Sequence, residues 1–299
     1  MIMFRNKLNI LFALVLCLMS GMASKVMADP ITIYVRPTGS YNNLGTSWDD
    51  AKLNLQDAIN TLREQMRLAN DTIGYIYVAD GTYVPTESTE QTGGSILNTA
   101  FKVYEGIRIF GGFHPELNET GHTDYTGQPQ DKPGDRIMGN GKTWDENMAS
   151  IPEVGTTTPE QVEAFWLFKY KSILSGNHAN AEVEFTFDKT RGRYEMRYPA
   201  NSFHVVWFAT NGRIEDSNIP NHFKPLTHKA VLDGFTIEDG NAASRVTSGH
   251  DHMAYGGGVY MVKGSRLENC IVRRCASTMR GGGVYMDGGG EMEHCWVHT

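Results

Sequence analysis

The six letters Gly-Gly-Gly-Val-Tyr-Met stand at residues 256–261 and again at 281–286. Leu267-Glu268-Asn269-Cys270-Ile271-Val272 returns in kind as Met292-Glu293-His294-Cys295-Trp296-Val297, also 25 residues on. A fixed period of this size admits few folds. Each repeat is a unit whose apolar face is buried only by its neighbours, and such units stack into a solenoid. An earlier copy, Leu232-Asp233-Gly234-Phe235-Thr236-Ile237, lies 35 residues before the Leu267 copy, and the ten additional residues fit a loop over 244–253. Leu267, Cys270, Val272 and Cys275 also fit a leucine-rich repeat, which would place a helix or 3₁₀ turn over residues 281–286. Three glycines followed by Val-Tyr-Met oppose that, because glycine tolerates positive φ and disfavours helix. The expected fold is therefore all-β, a right-handed parallel β-helix. In it Phe235, Cys270 and Cys295 stack inward, and Ile237, Val272 and Val297 stack two residues on. Thr236, Ile271 and Trp296 point out between them, as a strand's period of two requires.

Several segments also carry a family likeness: Gly45-Thr46-Ser47-Trp48, Leu55-Gln56-Asp57-Ala58-Ile59, Val78-Ala79-Asp80-Gly81-Thr82-Tyr83, Gly111-Gly112-Phe113, Ile173-Leu174-Ser175-Gly176-Asn177 and Leu232-Asp233-Gly234-Phe235-Thr236-Ile237. Their order resembles secreted bacterial parallel β-helix proteins of the pectin-lyase-like superfamily, common in Bacteroidetes. The Gly-Gly-Gly-Val-Tyr and Asn-Cys units look like relatives of the polymorphic outer-membrane protein repeat, with Asn269-Cys270-Ile271-Val272 in place of its Phe-x-x-Asn half. The resemblance implies the fold and an extracellular or outer-membrane surface location in a Gram-negative bacterium. It does not imply one activity, because the superfamily holds lyases, hydrolases and adhesins alike.

Arg5 and Lys7 precede an apolar run over residues 8–19, and Val26-Met27-Ala28 offers small residues for cleavage. Residues 1–28 thus read as a secretory signal peptide, too short and wrongly flanked for a membrane span. Leu16 before Cys17 argues against lipid attachment, and no second run of spanning length follows. The leader holds Arg5, Lys7 and Lys25 and no acidic residue, so its removal leaves 24 basic against 34 acidic side chains. That balance disfavours nucleic acid, which needs a basic stripe.

Residues 29–113 read as an N-terminal cap and first coils. A strand at Ile31-Thr32-Ile33-Tyr34-Val35 is followed by a helix capped by Ser47, with Trp48, Ala51, Leu55, Ala58, Ile59 and Leu62 on one face. That helix covers the open end of the apolar stack. Coils with long insertions follow over 114–230. They comprise a loop over 114–163 with a short helix after Thr158, and a β-hairpin over 182–198 turning at residues 189–192. Regular coils fill 231–299. The chain stops at Thr299 inside an expected strand, so further rungs and an anchoring domain are expected beyond it.

Four groups are candidate sites. Tyr260 and Tyr285, 25 apart, are expected to face outward, either as a stacked sugar-binding platform or as rings that stabilise neighbouring strands. Asp233, Glu268 and Glu293 stack outward by the same register. Such a column is either solvated and offset by Arg266 or Lys263, or it binds Ca²⁺, a hard cation that prefers carboxylate oxygens. His250-Asp251-His252 is the densest polar cluster, either a solvated loop or a pair of metal ligands. Cys270 and Cys295 are neighbours in adjacent coils, either core thiols or a disulfide. Glu238, Arg273 and His298 should form an outward column with a surface ion pair.

The catalytic patterns of the resembled family are incomplete. Its pectin-degrading hydrolases carry paired aspartates and a Gly-His-Gly, whereas Gly249-His250-Asp251 lacks the second glycine and Asp49-Asp50 lies on the expected cap helix. The Trp-Ile-Asp-His pattern of pectate lyases is absent, and nothing marks the two carboxylates that glycoside hydrolysis needs. The expectation is a surface or secreted adhesin-like binding protein meeting a host or matrix glycan or protein. The alternative is a polysaccharide lyase or glycoside hydrolase working in the lateral groove.

Overall fold

A computed structural model divides the chain into two compact units, Met1–Pro30 and Ile31–Thr299. The structure describes residues 30–69, 73–86, 96–115, 132–150, 158, 165–179, 185–190, 193–196, 201–209, 228–242 and 251–298, with the backbone alone at 185–188, 193–196 and 251–252. Every described helix and strand belongs to the second unit. The expected signal peptide and His250 lie outside the described residues.

The described residues are mostly β, and the main sheets are parallel. The first sheet stacks Ile31–Ser40, Gly74–Ala79, Ile107–Phe113, Ala230–Asp233, Ser265–Glu268 and Glu291–Glu293. The second stacks Gly81–Tyr83, Ser172–Ser175, Phe235–Glu238, Ile271–Arg273 and Trp296–His298. The third stacks Phe101–Tyr104, Val206–Ala209, Val259–Val262 and Val284–Asp287. From Gly74 onward the chain visits first, second and third sheet in the same repeating order. The core runs along the stack through Ile33, Ile76, Ile109, Leu232 and Leu267 from the first sheet, Leu174, Ile237 and Val272 from the second, and Val103, Phe208 and Met261 from the third.

The repeat register holds residue by residue. Thr236 pairs with Ile271 and Ile271 with Trp296; Ile237, Val272 and Val297 follow beside them. Glu238, Arg273 and His298 form the expected column. Its ion pair is not a surface one, however. Glu238 is buried, and it takes Arg273 at 2.7 Å on one oxygen and Arg274 at 3.0 Å on the other.

Two tight turns recur in the regular rungs from residue 230 on, and both use left-handed residues. Gly234, Asn269 and His294 (φ 82°, 51° and 51°) end the first-sheet strands, and Asp239 and Arg274 (φ 63° and 49°) end those of the second. Asn, Asp and His are the side chains that tolerate this region best. The triple glycine serves a third corner. Gly256 and Gly281 sit at φ 65° and 62°, and a Cβ on Gly257 would collide with the Ala276 carbonyl of the next rung.

The amphipathic helix is present but starts later than expected, at Leu55–Ala69. Asn54 Oδ1 accepts from the Asp57 amide and caps it, while Ser47 closes a turn by accepting from Asp50 N–H. Leu55, Ala58, Ile59 and Leu62 join the main core, whereas Trp48 packs with Tyr77 and Phe113 on the outer side of the first sheet. The hairpin pairs Phe185–Asp188 with Arg193–Met196 antiparallel, about the expected turn. Within the expected loop over 114–163, residues 132–150 are built structure. They hold a short helix, Trp144–Met148, opened by a capping box of Thr143 and Glu146. The helix expected after Thr158 lies outside the described residues.

Among the described residues, no helix is long and apolar enough to cross a membrane.

Candidate functional site

Residues 165–171 return the chain to the stack and wall a groove along the second sheet. Their backbone is pinned to the inserted segment: Gly139 N–H donates to Leu167 O at 2.7 Å, Lys169 N–H to Ile137 O at 2.9 Å, and Asn147 Nδ2 to Phe165 O at 2.6 Å. The insertion is in turn tied to the rungs by Arg136, which is only 1% exposed. Its guanidinium donates to Gly111 O at 3.0 Å and to Asp233 Oδ1 at 3.1 Å, and lies 4.3 Å from the Phe168 ring centroid. A buried guanidinium met by carboxylate, carbonyl and ring fixes the wall's position.

The resulting shallow, open groove runs between Trp166, Phe168, Tyr170 and Lys171 on one side and Gly234, Thr236, Asn269 and Ile271 on the other. Trp166 stacks on His294 at 4.7 Å, and Tyr170 stacks on His114 at 4.3 Å. His114 Nδ1 lies 2.9 Å from Asp80 Oδ1, which sets that ring's orientation. Asn269 Nδ2 donates to Asp233 Oδ1 at 2.9 Å, while its buried Oδ1 meets no donor among the described residues. Lys171 is exposed and forms no ion pair among them. Flat aromatic faces, an unmet amide acceptor and one ammonium suit a hydroxylated ring. Among the described residues no carboxylate lines the groove, so this lining offers no acid–base pair.

The tyrosines expected to form an open platform do stand in one column, Lys102–Trp207–Tyr260–Tyr285 of the third sheet. Tyr260 is nevertheless 3% exposed, a correction to its expected exposure. Its ring is sandwiched between Trp207 at 4.8 Å and Tyr285 at 5.4 Å, with His204 edge-on. Its hydroxyl donates to Asp287 Oδ2 at 3.2 Å. Tyr285 is half-buried and stacks on Tyr255 at 4.8 Å. The ladder supports strands more than it presents a surface.

Asp233, Glu268 and Glu293 are in register as expected. Arginines meet their charge: Arg136 holds buried Asp233, and Arg266 contacts both Glu268 and Glu293. Burial raises the Glu268 carboxyl above its ordinary value, with Asp233 adding to the effect. Among the described residues no group of three His, Cys, Asp or Glu is placed to hold a metal ion. Asp251 and His252 lie in a 3₁₀ turn, Asp251–Ala254, with only their backbone described. Cys270, Cys275 and Cys295 are free thiols, and burial pushes Cys275 up to about 12.

A Ser–His contact that sequence reasoning passed over lies among the rungs. Ser202 Oγ is 2.7 Å from His178 Nε2, and Thr99 Oγ1 is 2.9 Å from the same nitrogen. Ser202 is fully buried, so it presents no nucleophile to a substrate. The groove wall itself was also missed. Its only signal is the run Phe165-Trp166-Leu167-Phe168-Lys169-Tyr170, four rings outside any repeat.

Comparison with protein-family models, curated proteins and solved structures gives no match to this chain.

Proposed function

We propose that this chain is an exported, adhesin-like binding protein. In this reading the three parallel sheets form a right-handed β-helix of the pectin-lyase-like kind, residues 1–28 direct export, and the second-sheet groove takes a saccharide of a host or matrix glycan. One observation carries it. Asn269 Oδ1 is shielded and lacks a donor beneath walls made by Trp166 and Tyr170. A buried acceptor left unmet costs about 1–3 kcal/mol, which a ligand hydroxyl recovers once the Asn269 amide turns toward the groove. Aromatic faces bury the apolar side of a sugar ring.

The catalytic alternative draws on the Asp80–His114 pair beside Tyr170, an oriented imidazole at the groove's rim. One experiment separates the two. Titration calorimetry against a panel of neutral and acidic oligosaccharides should give saturable binding that Trp166→Ala and Asn269→Ala weaken. Prolonged incubation should release neither reducing ends nor ultraviolet-absorbing unsaturated sugars. Release of either product would replace binding by hydrolysis or lyase chemistry, and wild-type affinity in both variants would remove the groove from the function.

A further inference from the structure

The outer face of the first sheet carries a second feature, distinct from the groove. Its outward columns read Thr32–Tyr75–Arg108–Val231–Arg266 and Tyr34–Tyr77–Phe110–Asp233–Glu268. At the N-terminal end of the stack the face is aromatic. Tyr75 lies parallel to Tyr77 at 6.4 Å and edge-on to Phe110 at 6.0 Å, and Tyr34 is edge-on to Tyr77 at 5.6 Å. Tyr34, Tyr75 and Phe110 keep part of their surface in solvent.

Arg108 pairs in register with Tyr75, two residues before Phe110, and differs from the neighbouring arginines in its charge partners. Arg266, two rungs along the same column, contacts Glu268, Glu291 and Glu293. Arg136 holds Asp233, and Arg273 and Arg274 share Glu238. Arg108 is half-buried and forms no ion pair among the described residues; its Nε, like those of Arg36 and Arg266, is shielded from water with no acceptor. Its column neighbours are Tyr75 and Val231, and Phe110 follows two residues on, so no adjacent register position supplies a carboxylate. A guanidinium is a planar fork that matches a carboxylate with two parallel hydrogen bonds, and partial desolvation strengthens them.

We infer that the Tyr75–Arg108–Phe110 face binds an acidic saccharide, its carboxylate on Arg108 and its ring against the neighbouring aromatic side chains. Charge complementarity selects the anion, and the row of rings along the stack selects a sugar chain over an isolated anion. The test uses the full chain and two oligosaccharides of equal length that differ only at C6: a β-glucuronan oligomer and a cello-oligosaccharide. Wild type should bind the glucuronan more tightly, and rising salt should weaken that binding. Arg108→Gln should lose about ten- to hundredfold for the glucuronan and nothing for the neutral oligomer. Arg108→Lys, which keeps the charge but not the fork, should lose less. Circular dichroism melts check that each variant folds; should Arg108→Gln fail, the salt titration and Arg108→Lys still decide. Equal binding of both oligomers, salt-independent binding, or wild-type affinity in Arg108→Gln would overturn the assignment. Equal binding of polyglutamate would overturn it as well, because the rings would then contribute nothing.

Discussion

Arg136 and Asp233 form the most consequential pair of side chains, because each is buried and neither has water to fall back on. Breaking such a pair from one side leaves a bare buried charge and costs about 3–5 kcal/mol. Arg136→Met should therefore lower the denaturant midpoint sharply, and the double variant Arg136→Met/Asp233→Leu should recover much of the loss; equal midpoints for both would show that the pair is not coupled. Glu268 behaves differently, since burial raises its carboxyl instead of lowering it. Well below pH 4.5, folded and unfolded chains both hold the proton. As pH rises from there the unfolded chain ionises first, so the folded state loses relative stability. Glu268→Gln removes that dependence. The wild-type minus variant stability should therefore fall as pH rises from about 4.5, and a difference that grows instead would contradict the raised carboxyl.

At the scale of elements, the corners of the rungs carry the specificity of the fold. Gly257 has no room for a side chain because the next rung's Ala276 carbonyl occupies that space, whereas nothing lies within 4 Å of a Cβ at Gly288, although Gly288 has φ 76°. Gly257→Ala is expected to cost about 1–3 kcal/mol by overpacking. Gly288→Asn should be nearly neutral, since asparagine visits the left-handed region readily. Thermal melts of the two variants measure this contrast, which disappears if the triple glycine is only a flexible link. The inserted segment 132–150 is likewise an element with a task, holding the 165–171 wall through backbone bonds and Arg136. Its helix carries a capping-box signal, Thr143-Trp144-Asp145-Glu146, that the loop reading passed over, and its contacts carry no local signal.

For the whole molecule, the acidic excess of the sequence invites a calcium reading, and the stacked Asp233, Glu268 and Glu293 invite it most. The geometry instead places two arginines on that column. Titration calorimetry with millimolar Ca²⁺ should show no saturable heat, in wild type or in Glu268→Gln. A saturable heat lost in Glu268→Gln would restore the metal.

Along the repeat, sequence alone determined the register. A translation of 25 or 35 residues carries each side chain onto its stacked neighbour, so the inward row of Ile237, Val272 and Val297 and the pairing of Glu238 with Arg273 were legible in the spacing itself. Stacking makes every rung's environment a copy of the last, which is why one period suffices. The tertiary structure decided whatever joins residues that share no period. Arg136 reaches Asp233 across 97 residues, and Trp207 comes against Tyr260 from an earlier rung. The wall at Trp166 and Tyr170 meets Asn269 only because the insertion pins it there. Such contacts follow from how a loop packs back onto the stack, and no local pattern of apolar and polar residues encodes that.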